Sequence, residues 1–437
     1  MVFSATTDPR SSSRGAPSPP SPNKLGHSRR NIPLTIRERN DNLTKILSYE
    51  DKYELQSSKD LINSTPNIDI ITYTKQYHIN KVSNTKMSTT TTTTTTTITA
   101  EQPSQGHGQN RMLLDGKPTN YGDFRDALNR DGYAVIKGAI PLDRANGYAD
   151  AFYSYMEGFN LGYNRHDPST VRRAKLPVLN EKGMILDYGV THEQWVWDIR
   201  GEEGVVDAFK KVYDDEDLIV SFDVVNVGFA NREDLPENKP WPHQDQDPTK
   251  PGFRCLQGLV NLLPNGPNDG GLIVCKGGHA LSEQFHIEMA NEERIPAWTP
   301  EWFGFTDAGM KWLADHGLEW EKVCAEPGDL IVWDSRTPHY NVAPTGGVDR
   351  LAVYTCFMPV AEVEKEDLVR KKGAFERRLG TTHWPHAKHV SKTNIAMRDG
   401  KPCPVARERP VQEPVLSERV YKLTGIPYLE RMEQVAA

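Results

Sequence analysis

No stretch of the 437-residue chain approaches the roughly eighteen consecutive apolar residues that a helical membrane span requires. Cysteine is scarce. The five present, Cys255, Cys275, Cys324, Cys356 and Cys403, are odd in number and form no Cys-x-x-Cys pair, which argues against a disulfide framework and a thiolate zinc site. Cys255, Cys275 and Cys356 lie in apolar runs and read as core residues. The formal charge is −7 and the folded part has no basic stripe, so nucleic acid is not expected as a partner. The run Arg370-Lys371-Lys372, with Glu376 close by, reads as a solvated helix face.

The first hundred residues lack apolar content. Residues 1–40 are rich in Ser, Pro and Arg, and residues 89–97 are nine consecutive Thr, so residues 1–110 are expected to be a disordered low-complexity region. Within it, Ile70-Ile71-Thr72-Tyr73 has strand character but no partner. The basic leader has some flavour of a mitochondrial presequence, although its prolines interrupt an amphipathic helix, and Met87 is an alternative start. The chain ends Gln-Val-Ala-Ala, not Ser-Lys-Leu. The expectation is a soluble, intracellular, cytoplasmic protein, with a mitochondrial address as the alternative.

From residue 111 onward the composition can support a core. Helices are expected around Tyr121–Arg130, Leu142–Met156 and Val205–Val212, and strands at Tyr133–Ile136, Leu218–Phe229, Arg254–Leu263 and Gly271–Cys275. Residues 280–325 turn to helical composition and read as an insertion. Then come Leu330–Trp333, His339–Val342 and Asp349–Phe357, each bounded by turn residues such as Glu326-Pro327-Gly328-Asp329. A C-terminal extension starts at about 361. Many short strands closed by Gly/Pro turns, with helices gathered outside, indicate a mainly β fold with flanking helices: a double-stranded β-helix, the jelly-roll or cupin-like core.

One constellation carries chemistry. His243-Gln244-Asp245 follows Pro240 and Pro242, which favour an extended approach, and His339 begins a later strand. Two imidazoles and one carboxylate form the face that holds non-haem Fe(II) and leaves positions open for a co-substrate and O2. The tripeptide alone is weak evidence in a chain with 13 His; its place at strand ends strengthens it. Asp247 is an alternative carboxylate, on the same strand face but further along. His279 and His286 read as fold-supporting. His383, His386 and His389 look metal-like in spacing, but Pro385 breaks the helix that would align them and no acid is near in sequence. Trp195 and Trp197 could line an entrance, with core as the preferred reading.

These blocks resemble the phytanoyl-CoA dioxygenase family of Fe(II)- and 2-oxoglutarate-dependent oxygenases. The resemblance spans about residues 115–360: Arg130 to Gly138, His243-Gln244-Asp245, Gly270-Gly271-Leu272, Gly277-Gly278-His279, and Gly328-Asp329 through His339 to Arg350. It implies that His243, Asp245 and His339 ligate iron and that Arg350 binds the far carboxylate of 2-oxoglutarate, a task suited to a planar guanidinium. It further implies co-substrate contacts for Gln244 and Asn341, although the family often has a small hydroxyl residue where Asn341 stands. Lys276-Gly277-Gly278-His279 departs from the usual Pro-Gly-Ser-His and alters a turn. The implied reaction consumes O2 and 2-oxoglutarate, releases succinate and CO2, and hydroxylates a small organic or lipid-like metabolite. Asp245 disfavours halogenation, which would need that carboxylate replaced by a small residue. The alternatives are a cupin-type metal enzyme independent of 2-oxoglutarate and a non-catalytic binding or sensing jelly roll. Neither substrate identity nor oligomeric state is legible.

Overall fold

The computed structural model describes residues 110–236, 239–386 and 388–436. The expected disordered leader, its Ile70–Tyr73 run and the Thr tract lie outside the described residues. Helix α1 (Phe124–Asp131) is capped by Asp123, whose carboxylate accepts from the Arg125 N–H, and is closed by Gly132 at φ 80°. Strand β1 (Tyr133–Ile136) and helix α2 (Leu142–Glu157) follow, then β2 (Met184–Ile185), α3 (Gln194–Arg200) and α4 (Glu203–Tyr213). The strands β3 (Leu218–Val220), β4 (Val225–Gly228), β5 (His243–Gln244), β6 (Leu256–Asn261) and β7 (Gly271–Cys275) come next. Residues 280–325 hold α5 (Ser282–Glu288) and α6 (Asp307–Asp315), together with two short strands the composition did not suggest, β8 (Phe303–Gly304) and β9 (Trp320–Lys322). The chain then forms β10 (Leu330–Asp334), β11 (His339–Val342), β12 (Arg350–Tyr354), β13 (Phe357–Pro359) and α7 (Lys365–Glu376).

Two antiparallel sheets face each other. The larger runs β1-β10-β6-β12-β4-β2, with β13 pairing β6 and β3; the smaller runs β8-β5-β11-β7-β9. This is the double-stranded β-helix with flanking helices. Helical residues 280–325 thus contribute both edges of the smaller sheet, because β8 pairs β5 and β9 pairs β7.

The period of two along each strand divides the side chains between two cores. On β10, Leu330 and Val332 pack with the helices, whereas Ile331 and Trp333 enter the space between the sheets. On β12, Leu351 and Val353 face the helices, and Ala352 and Tyr354 face the interior with Leu272 and Val274 of β7. Burial on both faces explains why these strands read as near-continuous apolar runs.

Trp195 and Trp197 belong to the helix-side core at 8% and 0% exposure. Trp197 lies edge-on to Phe222 and Phe375, and truncating an aromatic so placed costs about 3–5 kcal/mol. Neither lines an entrance. The basic run on α7 needs a correction. Lys371 is fully buried, with its ammonium over the Phe222 ring at 3.9 Å and donating to the Val220 carbonyl. Burial, reinforced by Arg200, pushes its pKa well below the ordinary value. An isolated lysine in a basic run carries no sequence sign that its helix turns that position inward.

Among the described residues no helix is long and apolar enough to cross a membrane.

Candidate active site

β5 and β11 are neighbours in the smaller sheet, and their register sets His339 directly opposite His243. Asp245 follows β5, with its N–H donating to the Ser335 carbonyl at 3.0 Å, so its side chain returns to the same face as His243. The ligand-capable atoms of His243, Asp245 and His339 all lie within 4.8 Å of one another. Asp245 Oδ2 is 3.6 Å from His243 Nε2 and 3.4 Å from His339 Nε2.

Hydrogen bonding decides the tautomer of both rings. Nδ1 of His243 meets the Trp241 carbonyl at 3.0 Å, and Nδ1 of His339 meets the Thr337 carbonyl at 2.9 Å. A carbonyl can only accept, so each Nδ1 carries the proton and each Nε2 presents a lone pair toward the shared centre. Burial, assisted by His243, lowers the pKa of His339 and keeps that ring neutral. Burial alone would raise the Asp245 carboxyl, but the facing imidazoles, whenever they carry a proton on Nε2, outweigh it and hold the group well below the usual carboxylate range. The donor set is two imidazoles and one carboxylate on one face, the combination that suits ferrous iron.

Gln257 on β6 was not singled out from the sequence. Its amide donates to Asp245 Oδ2 at 2.9 Å, and a hydrogen bond of this kind orients a ligating carboxylate. The available signal was a polar residue on the interior parity of an apolar strand, two positions from Leu259.

Gln244 does not join this centre. It sits between His243 and Asp245 on the strand, so the period of two turns it to the opposite face, where it donates to Ser282 Oγ at 3.1 Å and to the Arg336 carbonyl. Its carbonyl oxygen faces His286 Nε2 at 2.8 Å. Asn341 does share the interior face and donates to the Tyr354 hydroxyl at 3.0 Å. Asp247 is turned away, accepting from Thr249 N–H at 2.9 Å and hydroxyl at 2.7 Å. His279 meets the Asn129 carbonyl at 3.1 Å, tying the β7 turn to α1.

Arg350 opens β12 at 4% exposure, on the same strand parity as Ala352 and Tyr354. Its Nη1 donates to Asn226, while its buried Nη2 has no hydrogen-bond partner. Gly271 makes room for it: φ is 106° there, and an added Cβ would approach Arg350 Nε to 3.1 Å. Arg350 borders a cavity of about 130 Å³, and the three-residue centre borders another of about 400 Å³; Asn341 lines both.

The larger cavity has walls the sequence did not predict. Trp298 and Trp302 from the insertion stack at 4.7 Å, and Trp302 also stacks on the His243 ring at 5.8 Å. Residues 380–384 and 389–391 close another side with Thr381, His383, Trp384 and His389. The reading that set these histidines aside is half correct. They do not form a cluster of their own, but His383 and His389 line the cavity because the extension folds back over it. Glu301 fastens these walls together. Its carboxylate takes Lys250 and Lys388 at 2.8 Å each and Arg254 at 2.7 Å.

Residues 128–350, half of the chain, match the phytanoyl-CoA dioxygenase (PhyH) family model. The chain belongs to the phytanoyl-CoA dioxygenase family. It is accordingly a non-haem iron, 2-oxoglutarate-dependent oxygenase, with Fe(II) as its metal and 2-oxoglutarate as its co-substrate. Within the family's relatives, Ava biosynthesis cluster protein O of Aspergillus versicolor is 39% identical over 282 residues, which cover 64% of this chain and 91% of that protein. Among solved structures, the epimerase SnoN in complex with Fe3+, alpha ketoglutarate and nogalamycin RO aligns at 15% identity and TM-score 0.37, covering 68% of this chain and 95% of that one. The non-heme alpha ketoglutarate dependent carbocyclase SnoK from nogalamycin biosynthesis aligns at 13% identity and TM-score 0.35, covering 57% and 88%.

Proposed function

We propose that His243, Asp245 and His339 hold Fe(II), that Arg350 binds the distal carboxylate of 2-oxoglutarate, and that the enzyme hydroxylates a small, largely apolar metabolite in the cavity beside them. The observation that carries this reading is the convergence of two Nε2 lone pairs and the Asp245 carboxylate within 4.8 Å, with both tautomers fixed from behind. The unpartnered Nη2 of Arg350 supports the co-substrate role, since a buried guanidinium donor without an acceptor is costly and a carboxylate satisfies it. Asn341, bordering both cavities, is proposed to lie along the co-substrate; Gln244 is proposed to act from behind the metal strand by bracing it on α5 and the Arg336 turn.

Iron and 2-oxoglutarate, when bound, would supply the oxidising power: one oxygen atom of O2 would end in the succinate formed with release of CO2, and the other would be available to the substrate. The chain's own residues do the rest. Gln257 holds the Asp245 carboxylate in place, Arg350 fixes the direction of the co-substrate, and the tryptophan walls exclude water from the reacting face.

A small-metabolite substrate is supported by two observations. Among the described residues the larger cavity has no Lys or Arg on its wall, so they offer no cradle there for the phosphates of a CoA thioester. The Aspergillus versicolor relative is named for a biosynthesis cluster. The catalytic unit is proposed as residues 111–437, with the insertion at 280–325 and the extension from about 361 as its walls.

The test is succinate release from 2-oxoglutarate by anaerobically Fe(II)-loaded protein on admission of O2, without added substrate. Slow turnover is expected, with Arg350→Ala raising the 2-oxoglutarate requirement about 10- to 100-fold. An unchanged requirement would remove Arg350 from the co-substrate role. Absence of both turnover and 2-oxoglutarate binding would favour the cupin-type or non-catalytic reading.

A further inference from the structure

Outside the metal-binding face, the larger cavity is lined by two carboxyl groups that the proposed reaction does not use, Glu301, which is held in ion pairs, and Asp223, which is not. Asp223 lies between β3 and β4 and is 7% exposed. One of its oxygens accepts from the Val224 N–H at 2.8 Å. Among the described residues nothing donates to the other, and no cation lies within ion-pair distance. Arg200, the nearest cation on that side, spends its hydrogen bonds on main-chain carbonyls: Thr191 at 2.6 Å and Asp223 itself at 3.0 Å. Asp223 nevertheless lines the cavity. Burial pushes its carboxyl up to about 7, against the opposing pull of the Val224 N–H and the Arg200 guanidinium.

The rest of that cavity is aromatic. Trp241, Trp298, Trp302, Trp333, Trp384 and Tyr354 line it, with Lys182 over the Trp241 ring at 4.7 Å and Arg254 over the Trp384 ring at 4.8 Å. Glu301 is already saturated by Lys250, Arg254 and Lys388. A flat apolar molecule is favoured by such walls, and a donor or positive charge on it is favoured by a carboxylate without an ion-pair partner. Among the described residues, an anionic substrate would meet Asp223 with no cation in ion-pair contact with it.

We infer that the substrate is a flat aromatic or polycyclic compound carrying a protonated nitrogen or N–H group, and that Asp223 is the specificity-determining residue that receives that group. This rests on the proposed oxygenase reading and extends it to substrate class. Asp223 orients the substrate through a charge-assisted hydrogen bond at one end, leaving the opposite edge of the ring system to meet the metal face.

The test is calorimetric titration of anaerobic, Fe(II)- and 2-oxoglutarate-loaded full-length protein with two probes of matched ring and opposite charge, 2-naphthylmethylamine and 2-naphthylacetate. The amine is expected to bind at least about tenfold more tightly, and Asp223→Asn is expected to bring the two within about twofold. The visible absorption of the iron–2-oxoglutarate complex should be the same in both proteins. Equal or tighter binding of the acetate by the wild-type chain overturns the inference, as does a preference that survives in Asp223→Asn. The wild-type preference decides the matter even if the variant does not fold. Loss of the iron–2-oxoglutarate absorption in the wild-type protein would instead count against the oxygenase reading, independently of which probe binds.

Discussion

The floor and the roof of the cavity are built on different principles. The floor is sheet: His339 is opposite His243 by ladder register, both imidazoles are fixed by main-chain carbonyls, and Gln257 reaches Asp245 from the facing sheet. The roof is assembled from an insertion and a C-terminal extension, joined by stacked tryptophans and by Glu301. A regular ladder fixes side-chain positions closely enough for coordination, while irregular segments can change shape without disturbing it. The metal face is thus expected to tolerate changes in the roof.

Four substitutions test that expectation. Asp245→Ala on the floor should abolish iron-dependent turnover while leaving the roof intact; full activity would remove Asp245 from the metal. Glu301→Ala should lower stability by roughly 2–3 kcal/mol in denaturant unfolding, because three cations lose their shared partner but are themselves partly solvated. Iron affinity should survive in folded protein, and its loss would mean that floor and roof are one unit.

The same residue predicts a pH dependence. Burial would raise the Glu301 carboxyl, but Arg254, Lys250 and Lys388 outweigh burial and hold it well below the usual range. A depressed folded-state value gives stability that is fully present above the unfolded value of about 4.3 and is lost as pH falls through the folded-state value. Glu301→Ala should therefore show a shallower loss of stability below about pH 4 than the parent chain.

Gln257→Leu should weaken iron binding about tenfold without unfolding the protein, since it frees the Asp245 carboxylate without removing it. Metal titration under anaerobic conditions checks this, and an unchanged affinity would make Gln257 a packing residue. The smallest effect is expected at Trp298, which is 71% exposed. Trp298→Ala should alter stability by less than about 0.5 kcal/mol but weaken binding of an aromatic probe, and a large drop in melting temperature would show that the roof supports the fold.

The sequence carried the floor and almost none of the roof. The placement of His243, Asp245, His339 and Arg350 at strand ends was legible because they sit at fixed offsets from short apolar strands and turns, signals that survive in one dimension. Gln244 lies apart from them for a reason also present in one dimension: a residue between His243 and Asp245 on a strand must face away from both. Trp298, Trp302, His383 and Trp384 lie in segments without periodicity, so nothing local announces their destination.

The succession of the main strands and the turns between them were determined by the sequence itself, through apolar runs and turn residues. Only the tertiary structure decided that Gln257 braces Asp245, that Lys371 is buried, that the extension closes the cavity and that Asp223 stands in it without an ion-pair partner. Local pattern specifies which face a residue occupies. What that face meets depends on contacts between residues far apart in the chain, and those are set by folding as a whole.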